Sequence, residues 1–136
     1  MSDQNIQVVQ NAYAAFKRGD IPAVTALLAA SVEWTVPGEG LYPQAGVYRG
    51  PDAVAGFFSK LGSTTEFDSF EPREYIAQGD RVIAMGAYRG KSKDTSRGFE
   101  SEWCMAFTVQ NGKIVRFREY TDTAAIGSAY QVGAAA

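Results

Sequence analysis

The hydrophobic period of this chain changes to two from about Phe67 onward. Before that point the longer patterned segments repeat every three or four positions, with one short alternating stretch among them. Helical periodicity followed by strand periodicity describes an α+β domain, in which helices cover one face of an antiparallel meander. At 136 residues the chain is expected to form one domain, residues 1–136, with room for a core and a small internal pocket.

Local signals place the elements. Ser2 or Asp3 is positioned to cap a first helix ending at Gly19, with Ile6, Val9, Tyr13 and Phe16 on one face. Asp20 caps a second helix with Pro22 in its first turn and Val24, Leu27 and Leu28 inward. "SVEWTV" alternates as a short strand, and "PGEGLYPQAG" reads as a loop. "GPDAVAGFFSKLG" reads as a third helix that presents Val54, Phe57, Phe58 and Leu61 and stops at Gly62. Strand pairs then flank a Gly79-Asp80 turn and Asn111-Gly112, the strongest short hairpin signal. "KSKDTSRG" is a polar hairpin loop and "GAAA" a frayed end.

Composition excludes several functions. A net charge of −2 without a Lys/Arg run offers no nucleic-acid footprint. The start "MSDQNIQVVQ" is polar and then amphipathic, so neither a signal peptide nor a membrane span is expected. Cys104 is the single cysteine, which rules out an internal disulfide and points to the cytoplasm. Histidine is absent altogether. That removes the usual general base, the Ser-His and Cys-His nucleophiles and the commonest metal ligand. No metal and no cofactor is expected, and any chemistry falls to Asp, Glu, Tyr, Lys or Arg.

The last strand, "RFREYTDT", raises the functional question of where Asp122 points. Taken alone, Arg116, Arg118, Tyr120 and Asp122 share a face that looks solvated. The hairpin argues otherwise. With a two-residue Asn111-Gly112 turn and a regular register, Phe107 faces Arg116, Met105 faces Arg118, Trp103 faces Tyr120 and Ser101 faces Asp122. Each aromatic side chain buries roughly 150–250 Å², so the face with Trp103, Phe107 and Tyr120 should be the inner one. Asp122 is then expected inside; a bulge between the two strands would reverse this. A desolvated Asp122 would need a rise of about 3 pH units, roughly 4 kcal/mol, to keep its proton at neutral pH. The plainer reading is an aspartate hydrogen-bonded to Ser101, Thr121 or Thr123 that caps the strand end.

From "VVQNAYAAFKRGDIPAVTALL" through "GVYRGPDAVAGFF" to "NGKIVRFREYTDT", the chain resembles a SnoaL-like member of the nuclear transport factor 2-like superfamily. The markers are Gly19-Asp20, Tyr48-Arg49-Gly50 and Tyr120-x-Asp122 after the Asn-Gly hairpin. The resemblance implies a cone: a strongly curved antiparallel or mixed sheet closed by three N-terminal helices around an apolar pocket. It also implies a homodimer through the outer face of the sheet. The superfamily spans isomerases, hydrolases, cyclases, dehydratases and non-enzymes, so the fold does not name the reaction.

Residue-by-residue transfer narrows the choice. The tyrosine and two aspartates of ketosteroid isomerases correspond to Ala12, Val36 and Met105, so that site is missing. Limonene epoxide hydrolase resembles the chain at Asp122, but its Tyr, Asn, Arg and second Asp fall on Trp34, Val36, Gly86 and Tyr88. SnoaL-type cyclases use an aspartate at this strand end with a histidine that the chain lacks.

The resulting expectation is a pocket protein for an apolar, carbonyl-bearing small molecule, binding neither nucleic acid nor membrane. If it is an enzyme, Asp122 is its catalytic acid/base in an isomerase, cyclase or lyase step. Tyr13, Phe16, Trp34, Val36, Phe57, Phe58, Leu61, Tyr88, Trp103, Met105, Arg118 and Tyr120 are the expected substrate-binding residues. The alternatives are a non-catalytic binder of a hydrophobic small molecule and a dimerisation or accessory module.

Overall fold

A computed structural model describes residues 2–131, and the expected frayed "GAAA" end lies outside them. Helix α1 (Ser2–Lys17) is followed by the short α2 (Ile21–Thr25), strands β1 (Leu28–Val36) and β2 (Gly46–Arg49), and helix α3 (Pro51–Thr64). Strands β3 (Thr65–Gln78), β4 (Arg81–Ser92), β5 (Gly98–Gln110) and β6 (Lys113–Thr121) follow, and helix α4 (Thr123–Tyr130) ends the described chain.

The six strands form one curved, mixed sheet in the order β2-β1-β6-β5-β4-β3. All neighbours are antiparallel except β1 and β6, which run parallel. The sheet does not close, because β2 and β3 are free edges. Helix α1 packs on β3 to β6, α3 on β1, β2 and β3, and α4 on β4 and β5.

The helix boundaries follow their local chemistry. Helix α1 already includes Ser2 and carries Asp3 in its first turn, so Asp3 does not cap it. Gly19 leaves the helix with φ +75°, and the Asp20 carboxyl accepts the Ala23 amide at 3.1 Å to start α2. Leu28 belongs to β1 rather than to α2, and α3 runs past Gly62 to Thr64. The strand β2 sits at the end of the expected loop; Val47 at its exposed edge has nothing to pack on, so no apolar pattern advertises it.

Gly86 shows how tightly the inner face is filled. It pairs with Trp103 on β5, whose ring lies across the glycine. A Cβ at Gly86 would fall onto the Glu71 carbonyl oxygen and stand 2.6 Å from Trp103 Cζ2. Trp34 stacks on Phe117 with ring centroids 3.8 Å apart, and Phe107 meets Phe117 edge-on at 5.1 Å. An edge-to-face pair such as Phe107–Phe117 adds about 0.5–1.5 kcal/mol beyond its area burial.

Candidate functional site

Both two-residue hairpin turns fall where the sequence indicates. Gln78 pairs with Arg81, and Gln110 pairs with Lys113. Asn111 and Gly112 have φ of +54° and +76°, the left-handed pair that a type I′ turn requires. Val109 pairs with Ile114 as expected. Beyond that point the regular register fails: Thr108 pairs with Arg116, and Val115 is the extra residue of a β-bulge.

One inserted residue exchanges the faces of everything after it, because side chains alternate with period two. Phe107 now faces Phe117, Met105 faces Glu119 and Trp103 faces Thr121. Arg116, Arg118, Tyr120 and Asp122 are all exposed, Tyr120 by 52%. The inward Asp122 is therefore corrected. Its carboxyl caps α4 by accepting the Ala125 amide at 3.0 Å, while its own backbone N–H donates to Ser101 Oγ at 3.2 Å.

Arg118 and Tyr120 are likewise corrected to the outer face. There the Arg118 guanidinium lies over the Tyr120 ring, 5.4 Å from its centroid. That cation–π contact accounts for a charge whose partner the sequence does not indicate.

A partly open pocket of about 90 Å³ lies between the sheet and the helices. Tyr13 and Phe16 reach it from α1, Trp34 and Val36 from β1, and Phe57, Phe58 and Leu61 from α3. Tyr88 on β4 and Met105 on β5 complete the expected residues that lie against it. Trp103 is buried but stacks on Phe70, centroids 5.4 Å apart, without reaching the wall. Tyr42, Gln44, Phe67, Phe70, Glu119 and Ile126 also line the cavity and were not among the expected residues. Ile126 comes from α4, whose signal was present: an Asp-Thr cap before an Ala-rich segment.

Among the described residues, Glu119 is the one charged side chain on the cavity wall. Burial pushes its carboxyl up to about 7, and a hydrogen bond donated by the Tyr88 hydroxyl acts in the opposite direction whenever it is made. Tyr88 Oη stands 2.9 Å from Glu119 Oε2 and 2.8 Å from Thr121 Oγ1. Burial, reinforced by the Glu119 charge, also drives the Tyr13, Tyr42 and Tyr88 hydroxyls well above the ordinary phenol range. These phenols are therefore neutral hydrogen-bonding groups. Tyr13 spends its proton on Met105 Sδ at 3.1 Å, a weak acceptor. The buried Tyr42 hydroxyl and Trp34 Nε1 have no partner among the described residues.

A second polar group stands at the Gln44 side. Gln44 Nε2 donates to Tyr130 Oη at 3.3 Å, and Tyr130 Oη also meets Thr65 Oγ1. Among the described residues, no three His, Cys, Asp or Glu side chains converge as a metal would require, and no helix is long and apolar enough to cross a membrane.

Residues 9–117 match the SnoaL-like domain. The chain belongs to the SnoaL-like family. Its structure is similar to that of a nuclear transport factor 2-like protein from Burkholderia xenovorans LB400, with a TM-score of 0.89 and 39% identity, covering 96% of this chain and 98% of that one. It is also similar to TerC co-crystallised with polyporic acid, with a TM-score of 0.80 and 25% identity over 93% and 97% of the two chains. An uncharacterised protein of Mycobacterium tuberculosis is 28% identical over 127 residues, covering 93% of this chain and 95% of the relative.

Proposed function

We propose that this SnoaL-like chain binds a small, mostly apolar metabolite bearing a carbonyl oxygen, and that Glu119 moves a proton at a carbon or oxygen beside that carbonyl. The observation carrying this reading is the placement of one carboxyl, with its proton affinity raised to about 7, on a wall that is otherwise uncharged among the described residues. A carboxyl poised near neutrality has both the acid and the base form available, the condition under which general acid–base catalysis is most effective. Tyr42, whose buried hydroxyl is unpartnered, is the available donor for the ligand oxygen. TerC, co-crystallised with polyporic acid, supports a ligand-binding role within this fold.

The reaction class is an isomerase, cyclase or lyase step. One general acid–base group contributes about 10²–10⁴-fold, so rates are modest. The volume of about 90 Å³ bears on the ligand's entry. An apolar cavity of about 150 Å³ accepts benzene, so a ring-sized ligand needs rings such as Phe16 or Phe58 to turn aside. The outer-face homodimer belongs to this proposal as well, and sedimentation equilibrium tests it separately.

The test is exchange of the α-hydrogens of candidate ketones and enones into deuterated buffer, followed by proton NMR. Wild-type protein should accelerate exchange of a bound compound, and Glu119→Gln should abolish the acceleration while still binding. A bound compound recovered unlabelled and unchanged from the wild type would overturn the enzymatic reading and leave a ligand-binding protein.

A further inference from the structure

Four oxygens behind Glu119 form a chain leading away from the cavity. Tyr88 Oη lies between Glu119 Oε2 and Thr121 Oγ1, and Thr121 Oγ1 is 3.1 Å from Ser101 Oγ. Ser101 Oγ ends the chain on the Glu102 carbonyl oxygen at 2.6 Å. Ser101 Oγ also accepts the Asp122 backbone N–H. Neither Ser101 nor Thr121 is on the cavity wall.

Each hydroxyl has one proton to donate, so the two backbone groups at the far end fix the direction of the whole chain. The Glu102 carbonyl can only accept, and two oxygens 2.6 Å apart with no proton between them repel. Ser101 therefore donates to Glu102. With that proton used, Thr121 donates to Ser101, and Tyr88 donates to Thr121. Tyr88 then has no proton left for Glu119. Their 2.9 Å contact is a hydrogen bond only when the proton sits on Glu119 Oε2. An ionised Glu119 must either face the Tyr88 lone pairs or turn Tyr88 and Thr121 round, which leaves the Thr121–Ser101 contact without its proton while Ser101 still donates to Glu102.

We infer that Ser101 and Thr121 are positioning residues: through Tyr88 they direct the hydrogen-bond chain so that Glu119 is held in its protonated form. The inference rests on the assignment of Glu119 as the proton-transferring group. Tyr13 from α1, Tyr42 from the loop after β1 and Tyr88 from β4 are the titratable side chains that face Glu119, and all three stay neutral. On β5, Met105 lies opposite Glu119, and α3 and α4 present only apolar side chains to the cavity. Without the chain's direction, Tyr88 would donate to the carboxylate and lower its proton affinity.

The experiment is a carbon-13 titration of the Glu119 carboxyl, assigned with Glu119→Gln, in the wild type, Thr121→Val, Thr121→Ser and Ser101→Ala. Thr121→Val and Ser101→Ala each free the Tyr88 proton for Glu119, so the midpoint should fall by about one pH unit or more. Thr121→Ser retains the hydroxyl and should titrate like the wild type. Unchanged or raised midpoints in folded Thr121→Val or Ser101→Ala protein would overturn the inference, and either variant suffices if the other does not fold. Failure of the proposed function is a separate result: Glu119→Gln would then retain the proton exchange, whatever the midpoints.

Discussion

Thr108 pairs with Arg116 across β5 and β6, leaving Val115 unpaired between Ile114 and Arg116. This bulge decides which carboxyl meets the cavity. It turns Glu119 inward opposite Met105 and sends Asp122 out to the start of α4. Without it, the regular register would put Arg118 opposite Met105, where a buried guanidinium would lack a carboxylate partner.

Asp122 caps α4, and in the proposed function it takes no part in the proton transfer. Asparagine is as good an N-cap as aspartate, so Asp122→Asn should leave both stability and ligand turnover unchanged. Asp122→Ala loses the bond from the Ala125 amide and should cost about 1 kcal/mol, seen as a lower urea midpoint with unaltered activity. Loss of turnover in the asparagine variant would return the catalytic role to Asp122.

The raised Glu119 carboxyl makes stability depend on pH in a stated direction. Its proton affinity is about 7 in the folded protein against 4.5 as a reference. Between those values the folded chain keeps a proton that the unfolded chain has released, so stability falls as pH rises through the window. It is flat from this cause on either side. The loss should approach roughly 3 kcal/mol by pH 8. Glu119→Gln has no such proton, and its urea-unfolding free energy measured at pH 4, 6 and 8 should lack this slope. Parallel profiles for the two proteins would contradict the desolvated carboxyl.

Gly86→Ala tests the packing beneath Trp103. The added methyl meets the Glu71 carbonyl oxygen, which the sheet holds in place, as well as the indole ring. Overpacking of this kind costs about 1–3 kcal/mol, and thermal unfolding should show it. At the exposed Gly62 in α3, where a Cβ meets nothing within 4 Å, alanine should instead stabilise by up to about 1 kcal/mol.

Phe107→Ala probes the junction of core and cavity. Phe107 is 2% exposed and touches the rings of Tyr13 and Phe117. Its truncation should cost about 3–5 kcal/mol and enlarge the cavity, so that bulkier ligands bind. Unfolding measured with and without a bound ketone separates the two effects.

The sequence alone determined the α+β class, the position of both tight hairpins and the helical face carrying Val9, Tyr13 and Phe16. Those follow from local periodicity and from φ preferences that a few residues set among themselves. It also carried enough spaced markers to indicate the SnoaL-like family. The edge strand β2 and the helix α4 carry weaker local signals: an edge strand needs no apolar alternation, and the cap of α4, Asp122, directly follows β6 in the chain. Only the tertiary structure decided which carboxyl faces the cavity. A bulge at Val115 has no local signature: it goes with the packing of Phe117 on Trp34, a residue distant in the chain, which outweighs the regular pairing of two adjacent strands.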